Sequence, residues 1–271
     1  PPYRYSGMTI PVEYGGAPRS VLDTCIIAEE LTAVGESGIG VGIIEATTLA
    51  TAPLIIGGSE EQKRRYIPPL ARGEKIICFA LTELEAGSDA AAIQTRAEMK
   101  GEHYVINGRK RYISFASIAD FATIFAKTDP ARGAKGISTF IVEAGTTGFS
   151  VVERVSCLGL RGHRDEEIAF DDCRVPRESL IGEEGKGLTY GLATMDSTRI
   201  TLSAAFIGMA RAAAKLAVEF AKSRHTFGQP IANYQAVSFP LVDVSIEIEA
   251  ARLLIYKAAW LADKGERYSA A

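Results

Sequence analysis

The spacing of apolar and polar positions divides the chain into three blocks. Residues 20 to about 72 follow a helical period, and Ser59 with Gln62 forms a capping-box signature where a helix begins. Residues from about 75 to 174 form short runs of β-branched and aromatic side chains, which predict about seven strands. Residues 187 to about 264 return to a helical period and predict two long helices.

These blocks predict an α+β multidomain protein. We expect an N-terminal helical domain at residues 1–73, a middle β-barrel or β-sandwich domain at residues 74–185 and a C-terminal helical bundle at residues 186–271. Strands and helices do not alternate along the chain, and this excludes a doubly wound parallel sheet.

The middle block carries a strong hairpin signal. Asn107-Gly108 stands between the apolar runs HYVI and RKRYIS, and this dipeptide is typical of a type I′ turn. We therefore expect two separate strands joined at Asn107-Gly108.

The first long helix has an apolar stripe that predicts contact with a partner helix. Arg199 falls on the stripe, and a buried guanidinium needs an anion such as Asp196 or a ligand. The stripe consists of Leu188, Leu192, Met195, Leu202, Phe206, Met209, Leu216 and Phe220.

Composition narrows the classes of function. The 271 residues are 47% hydrophobic and carry a net charge of only −3, so no basic surface indicates nucleic acid or an anionic membrane. The four cysteines are far apart in sequence, which argues against a zinc site and favours a reducing compartment. No signal peptide and no uninterrupted apolar span of 18 residues is present, so we expect no membrane segment.

Two charged features leave alternatives open. The run His163 to Glu167, HRDEE, could supply metal ligands, but no second cluster completes a site, so a solvated β turn is the favoured interpretation. Glu45 is the only carboxylate in its apolar helix. It could be a general base or simply a residue that reaches a polar partner.

The stretch LTELEAGSD, Leu81 to Asp89, follows an apolar strand. Considered alone, it predicts a hairpin tip. Gly87 and Ser88 also expose backbone amides that could hold a phosphate or an electron-rich ring edge.

Together with other motifs, this stretch closely resembles the acyl-CoA dehydrogenase family, especially its medium- and short-chain branch. The matching motifs are PVEYGG, LTELEAGSD, RYISFAS, FDDCRVPRESLIGEEGKG and RHTFGQPIANYQAVSF, in that order along essentially the whole chain. The resemblance implies three domains, FAD as the cofactor and conversion of an acyl-CoA thioester to the trans-2-enoyl-CoA. It also implies an electron-transfer flavoprotein as the electron acceptor, a homotetramer, and a bacterial cytoplasmic or mitochondrial matrix location.

The resemblance also assigns residues to the site. Ser88, Asp196, Thr198, Arg199 and Glu45 match positions that meet the acyl-CoA, with Glu45 near the floor of the acyl tunnel. The positions that match FAD contacts are Phe79, Leu81, Thr82, Gly87, Ser88, Tyr112, Ile113, Ser114, Arg224, Thr226, Phe227, Tyr234 and Gln235. The family more often has Pro at Leu84, Trp at Tyr112, Thr at Ser114 and Asn at Phe115.

The catalytic base is not assigned. In the medium- and short-chain branch it is a glutamate in final helices that have no counterpart before Ala271, and the earliest helices also lack a counterpart after Pro1, so the sequence resembles an incomplete longer polypeptide. A second branch places the base at the position of Thr198, which cannot serve. Glu45 is a weak candidate. Two alternatives keep the same fold: a noncatalytic or partner-dependent subunit that binds acyl-CoA, and a dehydrogenase of acyl groups on a carrier protein.

Overall fold

The computed structural model describes residues 5–34 and 37–268. It has the mixed α and β composition expected of the α+β class. The helices are α1 Val21–Ala33, α2 Ser37–Ile44, α3 Ala52–Gly57, α4 Glu60–Ala71, α5 Gly187–Ser223 and α6 Gln235–Asp263. The strands are β1 Ile77–Ala80, β2 Arg96–Lys100, β3 His103–Ser114, β4 Phe121–Lys127, β5 Ile137–Glu143, β6 Phe149–Val155, β7 Asp165–Pro176, β8 Leu180–Ile181, β9 His225–Thr226 and β10 Gln229–Pro230.

The chain forms two compact units. The first contains the described residues up to Pro18 together with Gly42–Thr198, and the second contains Arg19–Val41 and the described residues from Arg199 onward. The domain boundaries expected from the sequence stay a prediction.

The first unit is built on one eight-stranded sheet. Its strand order is β6-β7-β3-β2-β4-β5-β8, and β1 adds to β4 in parallel. Alternate residues of these strands, such as Tyr104, Ile106 and Ile124, fill a buried core because side chains of a strand point to opposite faces. The predicted capping box is present at Ser59 and Gln62, where helix α4 begins.

The hairpin predicted at Asn107-Gly108 is wrong. Strand β3 continues through both residues with a register shift, and its hairpin partner is β2, which the sequence pattern did not reveal. Gly108 has a φ of 150° rather than a turn conformation, and a side chain there would collide with Thr95 at 2.5 Å. The glycine is therefore required by close packing inside a long strand.

A π-helical turn, Glu45–Ala50, follows α2. Such turns are rare and occur often at functional sites because they displace the helix register by one residue. Glu45 is the first residue of this turn.

The second unit contains α1, the later part of α5, α6 and the β9–β10 hairpin. Its buried α5 face is made of small and branched residues, including Ala204, Ala205 and Ile207. Glu29, which is 1% exposed, accepts hydrogen bonds from Arg211, Arg252 and Tyr256, so the buried carboxylate is fully compensated.

Four of the eight residues of the α5 stripe do not pack against a partner helix within the described part of the chain. Leu192, Phe206, Leu216 and Phe220 are exposed, and so is Arg199. The small residues of α5 pack closely instead: a Cβ on Gly208 would lie 2.1 Å from the Glu29 carbonyl oxygen. Because α5 contacts its neighbour through small residues, several of its larger apolar side chains lie outside the helix contact.

Candidate functional site

Two of the segments matched to FAD meet in the first unit. The amide of Arg111 donates a 2.9 Å hydrogen bond to the carbonyl oxygen of Thr82, which joins the end of β1 to the end of β3. Thr82 is half-buried and Leu81 is buried, while Phe79 is half-buried against Phe125 with ring centroids 4.9 Å apart. The structure thus brings the Phe79–Thr82 and Tyr112–Ser114 segments together.

The stretch that begins at Leu81 forms a tight turn. The amides of Glu83 and Ala86 each donate to the other residue's carbonyl oxygen, at 3.0 and 3.2 Å. Gly87 and Ser88 follow the turn and are exposed, and a Cβ on Gly87 would meet no atom within 4 Å. The stretch is therefore a tight turn with an accessible backbone edge, but not the tip of a hairpin between strands, because β1 pairs in parallel with β4.

A buried ion pair fixes this turn to strand β3. Lys110 is 0% exposed, and its Nζ donates to the Glu83 carboxylate at 2.8 Å and to the Leu81 carbonyl oxygen at 3.0 Å. Glu83 also accepts bonds from Thr95 and from the amide of Gln94. The sequence analysis identified neither Glu83 nor Lys110. The signal that could have revealed the pair is a lysine at an inward-facing position of a strand.

Both members of the pair have shifted pKa values. Burial lowers the pKa of Lys110 to about 8, although the Glu83 carboxylate opposes this shift. Burial alone would raise the pKa of Glu83, but Lys110 and the hydrogen bonds outweigh it and hold that pKa below its usual range. This ion pair therefore holds the Leu81–Ala86 turn against strand β3.

The end of β3 has an unusual backbone. Tyr112 and Phe115 have φ values of 60° and 59°, a region that bulky residues rarely occupy. A register shift between Lys110 and Ile113 accompanies them, so Ile113 is buried while the Tyr112 ring is 51% exposed. Ser114 is half-buried. The segment presents a ring and a hydroxyl, and strained backbone of this kind often marks functional sites.

The structure joins the two charged features that the sequence left separate. His163 Nε2 lies 2.7 Å from Glu45 Oε2, and His163 Nδ1 lies 3.4 Å from Asp165 Oδ1. The solvated-turn interpretation of HRDEE is wrong for His163 and Glu166, which are 8% and 4% exposed. Local sequence could not reveal a contact between residues 118 positions apart.

The charges of this cluster depend on one another. Burial lowers the pKa of His163, but Asp165 and Glu45 outweigh burial and raise it to about 9. The His163 side chain in turn holds the pKa of Asp165 below its usual range. His163 is thus an imidazolium between two carboxylates at neutral pH.

The segment matched to CoA contacts is only partly accessible. Thr198 is 2% exposed, and its hydroxyl donates to the carbonyl oxygens of Thr194 and Thr48. This placement weighs against a substrate contact through that hydroxyl. Asp196 is half-buried. The expectation of a buried Arg199 is wrong, because its side chain is exposed and needs no buried anion.

The remaining FAD-matched residues lie in the second unit. Thr226 belongs to the β9–β10 hairpin, and its carbonyl oxygen accepts a 2.9 Å bond from the Tyr234 hydroxyl. Phe227, at the turn, is 99% exposed with a φ of 50°. Arg224 and Gln235 are exposed on either side of it. These five residues form one local surface.

The two segments joined by the Thr82–Arg111 hydrogen bond, which contain Thr82, Gly87, Tyr112 and Ser114, form a candidate edge for a flavin ring. It offers two hydroxyls, one exposed aromatic ring and open space over the Gly87 backbone. A neutral flat heterocycle is held by such hydrogen-bonding groups and ring contacts, without a facing charge. The residues present therefore suit the isoalloxazine of FAD.

Other classes of site have little support among the described residues. Within residues 5–34 and 37–268, no group of three His, Cys, Asp or Glu side chains could hold a metal ion. All four cysteines are free thiols. Gly38–Gly57 and Gly187–Ser223 are long and apolar enough to cross a membrane, but this is a weak indication, since 56% of the first span is buried inside the protein.

The chain matches three family models. They describe the N-terminal domain of acyl-CoA dehydrogenases at residues 4–74, the middle domain at residues 78–173 and the C-terminal domain at residues 185–271.

The chain is also similar to individual proteins of this kind. The chain is 43% identical over 269 residues to the short-chain specific acyl-CoA dehydrogenase of Clostridium acetobutylicum, covering 98% of this chain and 70% of that one. It is similar, with a TM-score of 0.94 and 40% identity, to a chain solved in work on the electron transferring flavoprotein of Acidaminococcus fermentans, covering 98% and 70%. The prolyl acyl carrier protein oxidase AnaB gives a TM-score of 0.93 at 32% identity, covering 99% and 71%. The chain therefore belongs to the acyl-CoA dehydrogenase family of FAD-dependent oxidoreductases.

Proposed function

We propose that this protein dehydrogenates a short acyl-CoA thioester between its α and β carbons, with FAD held against the joined ends of β1 and β3. FAD, when bound, would accept the hydride that leaves the β carbon, while a carboxylate base would take the α proton. The observation that carries the proposal is the contact between Thr82 and Arg111, which unites two segments matched to FAD in one edge. The similarity to a short-chain specific enzyme supports the substrate class.

The side chains of this edge contact FAD in two ways in this proposal. We assign ring contacts to Phe79, Leu81 and Tyr112, and hydrogen bonds to Thr82 and Ser114. The exposed backbone at Gly87 and Ser88 lies beside them, and Ser88 also faces the thioester. Ile113 is buried and supports the segment from below.

The second unit contributes a separate binding surface. We propose that Arg224, Thr226, Phe227, Tyr234 and Gln235 contact the FAD of a neighbouring subunit in a homotetramer. The full exposure of Phe227 supports an external partner for that ring. Asp196 and Arg199 are proposed to meet the CoA part of the substrate.

We assign the catalytic base to no residue of this chain. Glu45 is a poor candidate because its carboxylate Oε2 is already engaged by His163 Nε2 at 2.7 Å. Its role in the proposal is to hold His163, at the acyl end of the site.

Electrons pass to an electron-transfer flavoprotein in this proposal, and the similarity to a chain studied with such a protein supports it. The relative reported above is bacterial, which supports a cytoplasmic location in bacteria, with the mitochondrial matrix as the alternative. No contact with nucleic acid or membrane is proposed.

A carrier-protein substrate is the second candidate, because the fold also matches a prolyl acyl carrier protein oxidase. Reduction of the bound FAD by free acyl-CoA favours the first candidate. Reduction only by the carrier-linked acyl group favours the second, and a protein that binds acyl-CoA without reducing FAD would be a noncatalytic subunit.

The FAD site can be tested by filling the space over Gly87. Gly87→Val adds a side chain where no atom lies within 4 Å, so the protein should fold normally but lose at least tenfold in FAD affinity. Gly159→Val is the matched control, since a Cβ there also meets nothing within 4 Å. Fluorescence titration with FAD measures both; equal affinity in the two variants would contradict the proposed site.

A further inference from the structure

Ser114 and Asp165 are opposite residues of strands β3 and β7, so their side chains share one face of the sheet. Ser114 Oγ donates a long hydrogen bond of 3.5 Å to Asp165 Oδ1. Cys157 Sγ lies 3.2 Å from Asp165 Oδ2 and also donates. An ionised carboxylate has only acceptors, so the hydroxyl and the thiol must both point their hydrogens at Asp165.

His163 is the cation that faces Asp165. Its side chain is 6% exposed and carries its charge between Asp165 and Glu45. Nδ1 has no aligned hydrogen-bond acceptor, so it acts on Asp165 as a nearby cation at 3.4 Å. A buried cation at this distance favours the charged form of a carboxyl group.

Packing keeps Ser114 in place beside Asp165. The amide of Phe115 donates a 2.7 Å bond to the carbonyl oxygen of Arg164, next to the Ser114–Asp165 pair. The Phe115 ring lies edge-on to the His163 ring, with centroids 4.8 Å apart. A Cβ on Gly42 would lie 2.2 Å from the Phe115 ring, so the ring has no room to move that way. The Ser114 hydroxyl hydrogen is then the element most free to reorient.

We propose that His163 and Asp165 are positioning residues of the flavin site, which hold the Ser114 hydroxyl as a donor to Asp165 and leave its lone pairs facing the bound flavin. This inference rests on the proposed FAD site at Ser114. A reduced flavin has an N–H at its reactive edge that the oxidised ring lacks. Lone pairs aimed at that edge therefore favour the reduced form.

The test is the redox potential of the FAD-loaded protein, measured against reference dyes under anaerobic conditions. In Asp165→Asn the amide can donate to Ser114, which frees the hydroxyl to turn and donate to the oxidised ring. The ratio of reduced to oxidised flavin should fall about tenfold, equal to a potential lower by about 30 mV for a two-electron couple. Asp172→Asn makes the same chemical change in the same strand, at an exposed residue, and should stay within twofold of the parent protein.

A double-variant cycle separates this inference from a general structural effect. Ser114→Ala removes the hydroxyl, so Asp165→Asn should cause no further change of potential in that background. If Asp165→Asn does not fold, Asp165→Ala in both backgrounds removes the acceptor of the Ser114 hydroxyl and gives the same comparison with the same sign. An unchanged potential in the single variant, or a shift that persists without the hydroxyl, would overturn the inference.

Failure of the proposed function gives a different result. In that case the parent protein would bind no FAD or would not reduce it with acyl-CoA. Failure of the inference alone leaves a flavoprotein that binds and reduces FAD but whose potential is indifferent to Asp165.

Discussion

Two ionic clusters flank the same end of strand β3, and they differ in how completely their charges are satisfied. In the Glu83–Lys110 pair, both side chains are at most 9% exposed, and each charged group has several hydrogen-bond partners. In the Glu45–His163–Asp165 cluster, one cation serves two carboxylates that are 20% and 21% exposed, and His163 Nδ1 has no aligned acceptor. The first cluster joins two backbone segments; the second contacts a hydroxyl and a thiol whose hydrogens it can orient.

The difference follows from the neighbours of each cluster. Backbone groups of Leu81 and Gln94 complete the shell around Glu83 and Lys110, and backbone groups cannot rotate away. Asp165 instead accepts from the hydroxyl of Ser114 and the thiol of Cys157, whose hydrogens can rotate, so the carboxylate sets where they point. The candidate flavin edge therefore combines backbone segments that are fixed to each other with one hydroxyl, that of Ser114, whose direction Asp165 sets.

The largest expected effect comes from breaking the first pair. Lys110→Met leaves the Glu83 carboxylate buried without its cation, which should reduce the free energy of unfolding by about 3–5 kcal/mol. Urea denaturation followed by circular dichroism measures the change. FAD affinity should fall as well, because the Leu81–Ala86 turn loses its attachment to β3.

The control for this variant removes both charges. Lys110→Met with Glu83→Met should recover most of the lost stability, since an apolar pair avoids the cost of the uncompensated carboxylate. Arg72→Met breaks the exposed pair with Glu74 and should leave unfolding unchanged within error. A Lys110→Met variant as stable as the parent protein would show that the buried ion pair does not hold the turn against β3.

The second cluster should give stability a distinct pH dependence. The pKa of His163 is about 9 in the folded protein, above its ordinary value of 6.5, so the folded state binds more protons than the unfolded state between these values. Its stabilisation is complete below pH 6.5 and is lost as the pH rises toward 9, by about 3 kcal/mol at most.

The measurement is the free energy of unfolding at several pH values, compared with His163→Gln. The variant should lack this decline. Lys110 has the opposite effect: its lowered pKa makes the unfolded state bind more protons above pH 8, so its contribution rises with pH there. A parent protein whose stability does not decline between pH 6.5 and 8 would contradict the assigned charge of His163.

The smallest effect is expected for Glu45→Gln. Glutamine keeps an acceptor for His163 Nε2 but removes one of the two negative charges, so the pKa of His163 should fall. The loss of stability should still begin near pH 6.5, but it should be smaller and be complete at a lower pH than in the parent protein. If Glu45 only holds His163, the rate of acyl-CoA-dependent flavin reduction should change less than tenfold at neutral pH. A fall of several orders of magnitude would make Glu45 the base after all.

Much of the fold could be predicted from local pattern. The change from helical to strand periods gave the α+β class, and Ser59 with Gln62 marked the start of α4 correctly. The prediction of a hairpin at Asn107-Gly108 was wrong because long-range packing overrides the local turn preference. Thr95 occupies the space beside Gly108, and β3 has core residues both before and after this glycine.

The site was less accessible to sequence reasoning. The resemblance pointed to Thr82 and Ser114, but Glu83, Lys110 and His163 gain their roles only from partners far along the chain. A periodic pattern also cannot show that α5 packs through Ala204 and Ala205 while its larger side chains stay outside. Contacts of this kind depend on which faces approach, which periodicity alone does not specify.

The most direct test is an anaerobic titration of the FAD-loaded protein with a short saturated acyl-CoA, followed through the visible absorption band of the flavin. If the edge formed by Thr82, Tyr112 and Ser114 holds FAD against the thioester in an active enzyme, the band should bleach as acyl-CoA is added. A flavin that binds at this edge but keeps its full absorption with saturating acyl-CoA would contradict the dehydrogenase function.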